Sequence, residues 1–403
     1  MILLLFLIFQ TLTPACGDAR DCREQALAAA SAGDYEQFHD LAWRAVQKGR
    51  PNDPDLMYLL ARAQSLSGRP DDALVMLGRI ADLGVQTDAA TNPDFARVRL
   101  LPSWPALAAK LGVAPAPATP APPAPSTPSP VAPAASAAAI TFDPPLADPV
   151  GLAHDAVSRR FVLGDRSERR LVIVDEVSHH VVNYVSAASA GFYDDLTGFA
   201  IDARRGDLWV VSAKGTAEAA TAVLHKLQLV SGRTLLEAPL PDASRPAKFA
   251  AVAVAEDGAV YVLDSLGSRL FRLRPATRTL EMVMRLHMNG LSALASVDAR
   301  TLYVANEEGL SRVDLDARVA RPVKSIEELR GFGALAWRNG SLVGIESFED
   351  ESAIVRVRLD AAGTRVVGRD ILVTSLHRTA GTLAGSVYYY LAEQGAIRRL
   401  DLR

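Results

Sequence analysis

The sequence predicts an all-β propeller of six blades, preceded by a small all-α helical-repeat domain. Three observations carry this reading. From about Leu152 to the end, one short pattern recurs six times: a run of β-branched, aromatic and leucine residues ending on or near a polar residue. The runs are Phe161–Asp165, Leu208–Ser212, Val260–Asp264, Leu302–Asn306, Leu342–Glu346 and Val387–Leu391, the last with Glu393 two residues on. Their fifth residues lie 47, 52, 42, 40 and 45 apart, which is the period of a four-stranded blade rather than of a helical repeat. Upstream, residues 23–112 are periodic at helical spacing. Between the two lies an abrupt change of composition. The domains therefore read as a signal peptide at 1–15, helices at 16–112, a linker at 113–139 and the propeller at 140–403.

The chain opens with the apolar run Met1–Phe9, and its first charge is Asp18. That run is too short to cross about 30 Å of hydrocarbon as a helix. It matches a secretory segment, with Thr13-Pro14-Ala15 supplying the small residues of a cleavage site. Export to the periplasm or the exterior is the expectation. Cys16 and Cys22 are the chain's two cysteines. Cys16 directly after Ala15 permits a lipid anchor, and a Cys16–Cys22 disulfide in an oxidising compartment accounts for the pair equally well.

In the helical region Gly33-Asp34-Tyr35 is echoed 35 residues later by Gly68-Arg69-Pro70. Alanine-rich apolar stretches precede each (Gln25–Ala32, Leu56–Leu66) and follow each (Phe38–Val46, Ala73–Leu83). Helix, glycine turn, helix at this period resembles the tetratricopeptide repeat. In that alignment Ala61 takes a small-residue position, and Ala45 and Ile80 fall where the second helices cross, with Phe38 and Ala73 nearby. Residues 94–111, with Trp104 and Pro105, read as shorter capping helices. Ala114–Ala139 is almost entirely Ala, Pro, Ser and Thr. It has nothing periodic to bury and too many prolines for helix or sheet, so it reads as an extended spacer.

After the spacer, each blade opens on an inner strand rich in small residues: Gly151–Asp155, Gly198–Asp202, Val252–Ala255, Leu291–Leu294, Ala334–Trp337 and Gly381–Ala384. Small residues are what six strands crowding one axis require. Glu256-Asp257-Gly258 and Arg338-Asn339-Gly340 supply tight hairpin turns. Third strands include Leu171–Asp175, Leu270–Leu273 and Ile354–Arg358, and fourth strands include Val181–Val185, Thr279–Met284 and Arg365–Asp370. The last repeat ends after its third strand, Ile397–Leu400. Ile140-Thr141-Phe142 is expected to supply the missing fourth, closing the ring and removing two open edges.

Forty-three basic side chains against 46 acidic ones give a net charge of −3. No Lys/Arg-rich run stands out, so a nucleic-acid footprint is not expected. The repeat region holds no cysteine, which excludes a thiol nucleophile or a Cys-x-x-Cys metal knuckle there. A GxSxG elbow, a GxxxxGK[ST] loop and a GxGxxG turn are likewise absent, and no nucleotide cofactor is implied.

Pro149–Asp155, Thr197–Asp202 and Tyr261–Leu266 make residues 148–403 similar to the superfamily of gluconolactonases, calcium-dependent phosphotriesterases and strictosidine-synthase-like proteins. The resemblance implies a six-bladed propeller. It also implies a divalent cation, calcium, at the channel mouth, held by oxygen ligands near the starts of inner strands and polarising an ester carbonyl. At the corresponding positions this chain carries Val150, Ala250 (followed by Ala251) and Gly333, none of which brings a side-chain oxygen. A hard cation wants about six oxygens. The usual cage is not expected here, and no cofactor is predicted from the residues themselves.

Loops after second strands and before inner strands of a propeller open on one face. That face should gather Asp165, Asp264, Asn306, Glu346 and Glu393, with Asp194, Asp195, Lys248, His287, His377 and Arg378 from neighbouring loops. Such a set could bind a polar ligand or a metal at a non-standard place. Equally, Asp and Asn at strand ends satisfy turn amides, and His287 and His377 lack any HxH or HExxH spacing. His154 is expected beside the axis, and His179-His180 in an outer turn. Two functions follow. One is an exported, non-catalytic binding protein that takes a protein partner through its helical repeats and a small molecule or partner on the propeller face. The other is a divergent metal-dependent hydrolase of lactones or esters at the channel mouth.

Overall fold

A computed structural model of the chain describes residues 16–111 and 139–402, apart from 157, 177–178, 217, 243–244, 330, 348–350, 378–379 and 393–395. The expected signal peptide, most of the spacer, Arg378 and Glu393 lie outside the described residues. The chain divides into two compact units, residues 1–118 and 119–403.

The first unit is helical: α1 (Ala19–Ser31), α2 (Tyr35–Lys48), α3 (Pro54–Leu66), α4 (Pro70–Asp82) and, after two 3₁₀ turns, α5 (Trp104–Lys110). Asp18, Asp34 and Asp53 cap α1, α2 and α3, each accepting a first-turn N–H. Pro54 and Pro70 stand at the first helical positions, where their missing N–H costs nothing. The two interhelical turns are built alike. Gly33 and Gly68 both take φ +75°, a left-handed conformation that glycine adopts without a Cβ clash. The residue after each glycine, Asp34 or Arg69, donates back five residues, to Ala29 and Gln64. Phe38, Ala45, Ala61, Ala73 and Ile80 are all fully buried in the unit's single core. Cys16 and Cys22 form a disulfide inside that core. In this form the Cys16 sulfur is bonded to Cys22, the second of the two readings that the sequence left open.

The second unit is a six-bladed propeller. Blade 1 comprises β1 (Pro149–Asp155), β2 (Arg160–Asp165), β3 (Arg170–Asp175) and β4 (Val181–Ser186). Blade 2 comprises β5 (Asp195–Asp202), β6 (Asp207–Lys214), β7 (Thr221–Gln228) and β8 (Thr234–Pro239). Blade 3 is β9 (Phe249–Val254), β10 (Val260–Asp264), β11 (Arg269–Leu273) and β12 (Glu281–Arg285). Blade 4 is β13 (Ala293–Ser296), β14 (Thr301–Asn306), β15 (Gly309–Asp314) and β16 (Val319–Pro322). Blade 5 follows with β17 (Phe332–Arg338), β18 (Ser341–Ser347), β19 (Ser352–Leu359) and β20 (Val366–Leu376). Blade 6 has three strands, β21 (Gly381–Ala384), β22 (Val387–Leu391) and β23 (Ile397–Asp401). Every blade is an antiparallel meander.

Several expected strands differ in extent by a few residues, two of them with a local cause. The inner strand of blade 4 begins at Ala293 rather than Leu291, because His287 and Gly290 hold positive φ angles and keep the preceding segment in a loop. Strand β20 runs to Leu376, well past Asp370, because it follows β19 along its whole length through three register shifts.

The ring closes where the residue pattern placed the closure. Ile140 pairs with Ile397 of β23, each N–H donating to the other's carbonyl at 2.8 and 2.9 Å. Three residues on, Asp143 exchanges backbone bonds with His179 and Val181 at the start of β4. One short segment thus ties the outer edge of blade 6 to the outer edge of blade 1. Ile140, Phe142 and Leu146 are buried in one cluster with Phe161, Val172, Tyr389 and Ile397 from the two blades. The remaining clusters also lie between or within consecutive blades, as packing between twisted sheets requires.

Candidate functional site

The inner strands converge on a narrow cavity of about 120 Å³. Gly151, Gly198, Ala251, Ala293, Ala334 and Gly381 line it, so every blade brings at least one small residue. Strand β1 bulges between Val150 and Ala153, and Gly151 takes φ +61° there. The ring of Phe199 leans across from blade 2 onto this glycine. A Cβ on Gly151 would lie 1.8 Å from Phe199 Cε2. Ala250 and Gly333, two of the positions where the family resemblance would put metal ligands, line this cavity, and Val150 sits beside it. None of the three can donate an oxygen from its side chain, so the residues present do not fit the implied cation. The cavity's hydroxyls are Thr197, which donates to the Phe249 carbonyl at 2.6 Å, and Ser292, whose Oγ is buried without a partner. Among the described residues, no three His, Cys, Asp or Glu side chains converge in a way that could hold a metal.

The strand-end residues turn inward. Asp264 is fully buried: it accepts Nε of Arg269 at 2.6 Å and the N–H groups of Lys248, Leu266 and Gly267 at 2.9–3.2 Å. Arg269 in turn donates to the Pro246 carbonyl. Asp165, also buried, accepts from Ser167 at 2.8 Å and from Arg170 at 3.3 Å. Glu346, buried completely, takes both Nε and Nη2 of Arg369 on one oxygen at 3.1 and 2.6 Å. Asn306 accepts the N–H of Glu308. The four side chains are buried, and the partners just named lie within their own blades. Buried carboxylates must find hydrogen-bonding partners, and the turns and arginines of their own blades supply them. The arginine partners were not anticipated from the sequence, although a signal was there. Asp165 and Asp264 each have an arginine five residues on, at the start of the next strand, where the hairpin brings it opposite.

Of the other loop residues, Asp194, Asp195 and Lys248 come together with arginines of blade 1. The carboxylate of Asp195 lies 3.4 Å from Lys248 Nζ and 3.7 Å from Arg166 Nε, and Arg166 also approaches Asp148 at 3.7 Å. Beside them Asp194 pairs with Arg169 at 2.8 Å. The result is a rim of alternating charge across blades 1 to 3, about half exposed at Arg166, Arg169 and Lys248. His287 and His377 are both exposed loop residues.

Two buried histidines sit elsewhere. His154 is sandwiched between Phe161 and Tyr389, with Nε2 3.4 Å from Glu176. It therefore lies at the junction of blades 1 and 6 rather than beside the axis, because the bulge in β1 rotates the strand. Burial pulls its pKa down and the Glu176 carboxylate pulls it back up. His225 is fully buried in blade 2, with Nε2 3.4 Å from Ser212 Oγ and an edge contact to Phe192. Burial lowers its pKa to about 4. Its Nδ1 has no partner and Ser212 is inaccessible, so this serine–histidine pair lacks both the orienting group and the exposure that a nucleophile needs.

In the helical unit, α1, α3 and the loop after α4 enclose a groove of about 340 Å³. Leu27, Leu59, Ile80 and Val85 give it apolar walls, and Arg23, Arg62, Tyr58 and Asp88 give it polar ends. Arg62 is held by Asp94 at 2.7 Å, and the Tyr58 hydroxyl bonds Asp88.

No protein-family model matches the chain, and no curated protein does. Solved structures do. A pyrroloquinoline-quinone-bound aldose sugar dehydrogenase from Streptomyces coelicolor superposes with a TM-score of 0.50 at 14% identity, over 67% of this chain and 99% of that one. A putative gluconolactonase gives 0.49 at 14% identity, over 67% and 93%. A streptogramin B lyase gives 0.46 at 13%, over 66% and 97%. Likeness at such identity is a likeness of fold, and it agrees with what the sheets themselves show: a six-bladed β-propeller.

Proposed function

We propose that this protein is an exported recognition module, engaging a partner protein through its helical groove and a polar ligand or partner surface through the charged rim of its propeller. The observation that carries the reading is the fate of the strand-end carboxylates. Asp165, Asp264 and Glu346, the groups best placed for acid–base or metal chemistry at the channel mouth, are occupied by Arg170, Arg269 and Arg369. The axial cavity is lined by backbone, small or aliphatic side chains, one aromatic ring and the hydroxyls of Thr197 and Ser292, with no ionisable group among the described lining residues. What the described face offers outward is the mixed-sign rim around Asp195 and Lys248. Alternating charge of this kind favours orientation and selectivity toward a complementary surface. Export is supported by the apolar run before Ala15 and by the Cys16–Cys22 disulfide, a bond that persists in oxidising compartments.

The test uses the full chain. Thermal unfolding with calcium, magnesium, manganese and zinc, alongside a screen of lactones and aryl esters, is expected to give no metal-dependent turnover. Reversing the rim with Asp195→Lys and Lys248→Glu is expected to abolish co-purification of a partner from periplasmic extract. Metal-dependent hydrolysis that disappears in Glu346→Ala or Asp264→Ala, with folding intact, would replace this reading by the lactone and ester hydrolase.

A further inference from the structure

Away from the axis, a groove of about 590 Å³ opens between the outer strand of blade 4 and the β19–β20 hairpin of blade 5. Its walls carry Arg312, Arg321, Lys324 and Arg365, against Asp314 as the one carboxylate among the described lining residues. Four cations to one anion is a sharp local departure in a chain whose net charge is −3.

The cations are set on a stiff frame. Lys324 and Arg365 form a backbone bridge between the two blades, with Lys324 N–H donating to the Thr364 carbonyl and Val366 N–H to that of Lys324. The Tyr303 hydroxyl donates to the Gly363 carbonyl at 2.7 Å and fixes the hairpin from below. Strand β16 brings Arg321 alongside.

The local carboxylates neutralise the cations only in part. Asp314 spends an oxygen on the N–H of Ala317. Asp360 is turned to its own loop, accepting from the N–H groups of Thr364 and Arg365 and reaching the Arg365 side chain at only 3.8 Å. Arg312 is steered by a hydroxyl, Thr301 Oγ1, rather than by a carboxylate. Arg321 and Lys324 are exposed and form no ion pair with any described residue.

We propose that this groove is an anion-binding site that takes a phosphate- or sulfate-bearing ligand. Three guanidinium groups offer planar donor forks that match tetrahedral oxyanions, and Lys324 adds a point charge. Arg321 and Lys324, without an ion pair among the described residues, face two further cations and repel them, and a polyvalent oxyanion relieves that repulsion. A carboxylate carries fewer acceptor oxygens and less charge, so it satisfies fewer of the four.

Calorimetry of the full chain with inorganic pyrophosphate tests the site. One mole is expected to bind per chain, weakening with added salt as the charges are screened. Arg321→Gln and Lys324→Gln, both exposed substitutions that leave the unfolding midpoint in place, should each weaken binding about tenfold. Absence of pyrophosphate binding, or binding undiminished in the Arg321→Gln/Lys324→Gln double variant, would overturn the proposal. Sedimentation with phosphatidylcholine–phosphatidylglycerol vesicles identifies the source of the phosphate. Vesicle binding competed by pyrophosphate assigns the groove to lipid headgroups, and pyrophosphate binding without vesicle binding assigns it to a soluble ester. Either supports the site.

Discussion

Arg269 Nε lies 2.6 Å from Asp264 Oδ2 with both side chains almost wholly inaccessible, at 6% and 0% exposure. The pair closes the turn between the second and third strands of blade 3. Through the Lys248 N–H and the Pro246 carbonyl it also grips the segment that leads into the inner strand. A carboxylate that looks like a channel-mouth ligand in the sequence is thus a latch between the strands of its own blade. Removing one half of such a pair leaves the other charge buried and unpaired, which costs about 3–5 kcal/mol. Asp264→Ala should therefore lower the stability of the propeller by that order in denaturant unfolding, while the double replacement Asp264→Leu/Arg269→Met should recover much of the loss. A ligand-binding defect at unchanged stability would instead return Asp264 to the site.

The same pair shows where sequence reading ends. The blades were legible because second strands are continuous apolar runs bounded by polar turns, and the six runs repeat at blade spacing. Counting strands pointed to Ile140–Phe142 as the closing segment of blade 6, where the structure forms a single bridge, Ile140 to Ile397, rather than a full fourth strand. The fate of Asp165, Asp264 and Glu346 was not legible. Whether a strand-end carboxylate faces solvent or an arginine depends on which residue the next hairpin places opposite, and Arg369 reaches Glu346 from 23 residues away. Small residues at the axis were legible for Gly151, Gly198, Ala334 and Gly381, because six strands crowd there. The location of His154 was not, because one bulge in β1 reverses which side its residues face.

Gly151 and Phe199 define the second prediction. A methyl group on Gly151 would overlap the Phe199 ring, and its φ of +61° disfavours any side chain. Gly151→Ala should cost about 2–4 kcal/mol from the combined backbone strain and overpacking. Gly151→Ala/Phe199→Ala should remain less stable than Phe199→Ala alone, since the strain at φ persists after the clash is gone. Urea unfolding of the three variants separates the two terms.

Closure by Ile140 gives the third. Replacing it with proline deletes the N–H that donates to Ile397 at 2.8 Å and pulls its apolar side chain from the cluster of Phe161 and Tyr389. Ile140→Pro should destabilise the propeller by about 3 kcal/mol. It should also uncover the edge of β23, so the variant is expected to self-associate where the parent does not, read by light scattering. Ile140→Val, which keeps the N–H and most of the apolar bulk, should do neither. Self-association by both variants would show that the bridge does not protect the edge.

Asp207 gives the last. It is buried at the start of β6, and its Oδ2 lies 2.7 Å from Lys226 Nζ without the alignment of a hydrogen bond. Burial pushes its carboxyl up to about 6 from the ordinary 3.8, although Lys226 pulls the other way. The sign follows from which state holds the proton. Below pH 3.8 Asp207 is protonated in both the folded and the unfolded chain, and it costs nothing. Between 3.8 and about 6 the unfolded chain releases the proton while the folded one keeps it, so stability falls as pH rises through that window. Two units correspond to roughly 3 kcal/mol. Asp207→Asn cannot ionise, so it should gain on the parent by about that amount from pH 4 to pH 7 and keep a constant advantage at higher pH. Urea midpoints at a series of pH values measure the difference directly. A variant that instead loses stability at pH 7 would mean that the attraction to Lys226 outweighs the cost of burying the charge.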